Sequence, residues 1–131
     1  MLFLISLVLV PSVLADFHIT NVEYGSKGRE TSSNVACPSD YWNCNCLAFG
    51  DRSADVINGS DNFFQVEAGL CGMGTLNFYL NPDHTSWDFY VDGGDGTLQG
   101  TCYPNSGEHS CPLALAQATD LLVCYSYICN P

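Results

Sequence analysis

Apolar and polar positions alternate with a period of two along much of this chain, the pattern of half-buried strands. Residues 86–91 are the clearest case, with Trp87, Phe89 and Val91 on one face and Asp88 and Tyr90 on the other. Residues 75–80 and 97–103 are also extended, and the separators Asn81-Pro82-Asp83 and Asp92-Gly93-Gly94-Asp95-Gly96 make the three runs a meander. Residues 55–57 and 63–66 flank Asn58-Gly59-Ser60-Asp61-Asn62, a hairpin signal because Asn-Gly supplies the positive φ that tight turns need. In residues 17–24, Phe17 and Ile19 share one face while Val22 and Tyr24 take the other, which predicts a bulge within the strand. Residues 25–34 read as a loop, 41–49 as an extended run with Trp42, Cys44 and Cys46 on one face, and 121–129 as a last strand. Residues 112–119, rich in alanine and leucine, are the candidate helix, with Pro112 tolerated in its first turn. The expected fold is mainly β: a single disulfide-stapled antiparallel sandwich or small barrel with one short helix.

The first ten residues break this alternation with an almost unbroken apolar run, followed by Pro11, Ser12 and Val13-Leu14-Ala15. Ala15 with Val13 two positions earlier suits signal peptidase, so residues 1–15 read as a signal peptide and 16–131 as one secreted, extracellular domain. The apolar stretch is shorter than the ~20 residues a membrane-spanning helix needs, and membrane insertion is not expected.

All eight cysteines, Cys37, Cys44, Cys46, Cys71, Cys102, Cys111, Cys124 and Cys129, fall in the secreted part. An even count in an exported chain reads as a disulfide framework, with 105 possible connectivities. Cys44 and Cys46 are separated only by Asn45, too short a ring for a bridge, so each is expected to reach a different partner. Bridges are favoured over a metal site, since paired Cys-x-x-Cys spacing is lacking; no metal and no cofactor is expected. Asn58-Gly59-Ser60 is the N-glycosylation acceptor of the secreted part, placed by the same reading at an exposed turn. Lys27, Arg29 and Arg52 face fourteen carboxylates, a net charge of −11, which excludes nucleic acid as a natural partner.

Catalytic signals are weak, and no catalytic residue is assigned. His18, His84 and His109 are read as surface histidines, although Asp83 and Glu108 adjoin two of them. Nucleophile elbows, paired-histidine zinc motifs and phosphate loops do not occur. Glu67, Arg52 and a histidine could be cast as a ribonuclease site, but their spacing does not match the fungal guanyl-specific enzymes. Asp92 and Asp95 resemble the start of a calcium loop that the following residues do not continue, so a glycine-rich turn is the preferred reading.

The short signal, eight cysteines and acidic composition together resemble the small secreted cysteine-rich proteins of filamentous fungi, many of them virulence effectors acting on host plants. Val22-Glu23-Tyr24 through Val35-Ala36-Cys37 looks like the opening of the cerato-platanins, secreted fungal elicitors. Their four-cysteine pattern is not followed afterwards, so neither their double-ψ barrel nor any binding residue carries over. The leading expectation is an effector-like glycoprotein that binds an extracellular protein or glycan of a host or cell surface and modulates host immunity. The alternatives are a small secreted hydrolase or ribonuclease and a glycan-binding module.

Overall fold

The computed structural model describes residues 15–25, 31–114 and 116–129. The expected signal peptide lies outside the described residues apart from Ala15, which opens the first strand opposite Tyr125. The described strands are β1 (Ala15–Tyr24), β2 (Thr31–Pro38), β3 (Ala54–Ile57), β4 (Phe63–Val66), β5 (Leu76–Leu80), β6 (Trp87–Val91), β7 (Leu98–Pro104), β8 (Glu108–Cys111) and β9 (Ala116–Ser126). Neighbours pair antiparallel in the order β1-β2-β3-β4-β5-β6-β7-β9, and β9 returns to β1, closing an eight-stranded barrel. The remaining strand, β8, pairs with the first half of β9 while β7 takes its second half. Closure satisfies strand edges that an open sandwich would leave free.

The interior follows from the alternation. Phe64, Phe78 and Phe89 are successive cross-strand partners on β4, β5 and β6, and their rings stack at 4.5 and 4.8 Å. Phe17 of β1 meets Phe89 edge-on at 5.3 Å. Each such pair adds ~0.5–1.5 kcal/mol beyond area burial. The same row ends at Gly100 and then Ser126. A side chain at Gly100 would collide there, so the glycine lets β6, β7 and β9 approach.

Cys37–Cys46, Cys44–Cys111, Cys71–Cys129 and Cys102–Cys124 form four disulfides, and no cysteine is left free. Cys44 and Cys46 do reach different partners. Each bridge is worth ~2–4 kcal/mol, and four of them point to folding in an oxidising compartment.

Three local expectations are corrected. Residues 41–49 are not extended: α1 (Cys44–Leu47) is a short helix whose cap, Asn43, accepts the Asn45 N–H at 3.0 Å. Two bridges leave this turn for different elements, and Cys46 and Leu47 are buried in a cluster with Val22 and Val35. Residues 112–119 do not form a helix, because only 112–114 make a 3-10 turn before β9 begins at Ala116. Ala116, Ala118 and Asp120 point inward while Gln117, Thr119 and Leu121 are exposed, a period of two that wins because β1 and β8 pair with this strand. The 25–34 loop is shorter than expected, since Thr31–Asn34 pairs with β1. The bulge expected in β1 lies against β9 between Ile19 and Thr20.

Candidate functional site

The structure brings together one histidine and one carboxylate. His18 of β1 and Asp120 of β9 are bonded through Nδ1 and Oδ2 at 2.7 Å. Asn105, after β7, donates to the same oxygen at 2.7 Å, and Thr20 donates to the other at 3.3 Å. Trp42 in turn donates its indole N–H to Thr20 at 2.9 Å. The Trp42 ring lies between His18 and His109, with centroids 5.8 and 5.7 Å away. Asp120 and Thr20 are buried. The knot therefore ties β1, β9, the segment after β2 and the β7–β8 connection through side chains bonded to one another, with both Asp120 oxygens engaged.

The other sequence candidates stay apart. His84 sits exposed in the β5–β6 turn with φ 58°. Its neighbour Asp83 accepts from the Ser86 N–H at 3.0 Å, the Thr85 N–H at 2.9 Å and the Ser86 hydroxyl at 2.8 Å. These bonds, led by the Ser86 backbone N–H, hold its pKa at about 2, below the ordinary 3.8. A carboxyl lowered in the fold contributes to stability above its ordinary value and loses that contribution as pH falls through about 2. An NMR titration is expected to place the Asp83 midpoint near that value, with the 81–86 turn loosening below it; a midpoint near 3.8 would contradict the turn geometry. Arg52 reaches Asp40 at 3.4 Å and covers the Tyr41 ring at 4.8 Å, and has no described contact with Glu67 or a histidine. Glu67 and Glu108 are exposed. The Asp92–Gly96 segment is a turn, where Asp92 accepts from Asn77 at 2.9 Å and Asp95 from the Thr97 N–H at 2.9 Å.

Cys44, His109 and Cys111 have ligand atoms within 4.8 Å of one another. The two sulfurs are bonded to each other in the disulfide, so no thiolate is offered to a metal. Asn58 is exposed at the β3–β4 turn with φ 53° and donates to Gln65 at 2.6 Å, while the positive φ expected across Asn-Gly is confined to Asn58.

Sequence reasoning missed the outer face of the barrel. Phe63, Tyr79, Asp88, Thr101 and Tyr125 form one cross-strand row over β4, β5, β6, β7 and β9. Beside it lies a chain of side-chain bonds from Asn58 to Gln65 to Asn77 to Asp92. A groove of about 460 Å³ runs between β7, β9 and the tail that follows β9 (residues 127–129), lined by Leu98, Gln99, Thr101, Tyr103, Tyr125 and Tyr127 together with Gly100 and Ser126. Alternation along each strand gives the outward positions, but the grouping of tyrosines needs the β7–β9 register. A second concavity of about 310 Å³ lies among Ile19, Val56, Phe64, Trp87 and Leu122. No helix among the described residues is long and apolar enough to cross a membrane. No protein-family model, curated protein or solved structure matches the chain.

Proposed function

We propose that this chain is a secreted, effector-like recognition protein that acts by binding an extracellular target on a host or cell surface, not by catalysis. The observation supporting this reading is the contrast between its two side-chain clusters. The His18–Asp120 knot engages His18 Nδ1, the Thr20 hydroxyl and both Asp120 oxygens with one another, and lines none of the described cavities. The β7–β9 groove presents tyrosine rings to solvent, with Tyr103 and Tyr127 about half exposed. A general base must reach a substrate proton within a site, whereas recognition needs a rigid scaffold displaying aromatic and polar groups. Bridges between distant segments supply that rigidity at low ordering cost.

The test is to replace His18, His84, His109, Glu67 and Glu108 singly by alanine, confirm folding, and score the biological response to wild type. Every correctly folded variant is expected to retain the response. One folded variant that loses both the response and a hydrolytic activity of the purified protein would replace this reading with an enzyme.

The exposed Asn58 suits N-glycosylation as well. Secretion from a eukaryotic host is expected to yield protein whose gel mobility rises on endoglycosidase treatment and in Asn58→Gln. Unchanged mobility in both would refute occupancy.

A further inference from the structure

We infer that the groove between β7, β9 and the tail binds a neutral oligosaccharide, an inference that rests on the recognition reading and names its ligand class. The lining is uncharged throughout, on a chain of net charge −11. The surrounding field repels anionic ligands such as acidic glycans and phosphates, and the lining offers no carboxylate to hold a cation. What the groove does offer is aromatic faces and neutral hydrogen-bonding groups. Tyr103 and Tyr127 are 47% and 50% exposed, and Tyr103 meets Tyr125 edge-on at 5.9 Å. The C–H faces of a sugar ring pack on such rings while its hydroxyls bond to tyrosine hydroxyls, to the Gln99 amide and to Thr101, whose hydroxyl donates to Asp88 at 2.8 Å and serves the ligand as an acceptor. Leu98 is the one aliphatic side chain of the lining, so aromatic faces and neutral polar groups make up the rest.

The groove is also built to hold its shape. Gln99 is the extra residue of a bulge, since Tyr90 pairs with Leu98 and Phe89 with Gly100; bulges of this kind re-aim side chains. Cys102–Cys124 joins β7 to β9 beside the groove, and Cys71–Cys129 anchors the tail that carries Tyr127. Asp16 fastens the same tail from beneath, accepting the Ser126 hydroxyl and the Cys129 N–H. Immobilising the aromatic groups before binding removes much of the ordering cost that weakens flexible sugar sites.

The test titrates the disulfide-intact secreted protein with hexasaccharides of glucose, mannose, galactose and N-acetylglucosamine, followed by calorimetry and NMR. Saturable binding of at least one is expected, weakened about tenfold by Tyr103→Ala and by Tyr127→Ala, with near-UV circular dichroism confirming the fold. Tyr79→Ala, outside the lining, is expected to change affinity less than about twofold. Absence of binding at millimolar concentration, or tyrosine variants that bind like wild type, would overturn the inference. Binding of the labelled protein to intact cells, measured in parallel, separates the two readings. Cell binding that persists without sugar binding leaves recognition standing with a protein partner, and loss of both removes recognition too.

Discussion

Asp120→Ala is expected to lower folding stability by about 4 kcal/mol, because it removes a buried acceptor from three donors at once. His18 Nδ1, the Asn105 amide and the Thr20 hydroxyl all converge on this carboxylate. The loss propagates to Trp42, whose indole bonds to Thr20. In non-reducing thermal unfolding the midpoint should fall by more than about 10 °C. His18→Ala should cost less, since Thr20 and Asn105 still engage the carboxylate. The double variant should be less destabilised than the sum of the two, with a coupling of about 1 kcal/mol or more. Additive effects would show that the pair does not act as a unit.

Gly100→Ala should be similarly damaging for a different reason. A Cβ there would sit 2.3 Å from the Tyr125 carbonyl oxygen, 2.7 Å from Ser126 Cβ and 2.8 Å from Phe89 Cε1. Two of these obstacles belong to the adjoining strand at its closest approach, so relief requires β7 and β9 to separate against the Cys102–Cys124 bridge. The expected cost is about 3 kcal/mol, the upper part of the usual overpacking range. Gly74→Ala is the matched control, because nothing lies within 4 Å of a Cβ built there and it should change stability by less than about 0.5 kcal/mol. Equal effects of the two substitutions would contradict the packing.

Strands whose side chains alternate cleanly were legible in the sequence: the β5–β7 meander, the β3–β4 hairpin and the bulged β1 each carry their own pattern. Failures came where a distant partner decides the conformation. Composition favours a helix over residues 112–119, but Ala116, Ala118 and Asp120 alternate inward against β1, and the inward aspartate hides the period. Residues 44–47 turn into a helix because their cysteines are drawn to Cys37 and Cys111, a constraint no local pattern carries. The His18–Asp120 pair spans 102 positions, and nothing around Asp120 distinguishes it from the other aspartates. The tyrosine groove was half legible. Aromatic residues on strands were visible, but Tyr103, Tyr125 and Tyr127 converge only through barrel closure and the tail bridge.

The most direct test of the proposed recognition at the outer face is an amide NMR map of isotope-labelled, disulfide-intact protein titrated with solubilised surface material from the host cells proposed as its target. Shifts should concentrate on residues 98–103 and 123–127 and leave His18, Trp42, His109 and Asp120 unmoved. Shifts centred on His18, Trp42 and His109, with the groove residues unchanged, would contradict it and place function at the histidine cluster.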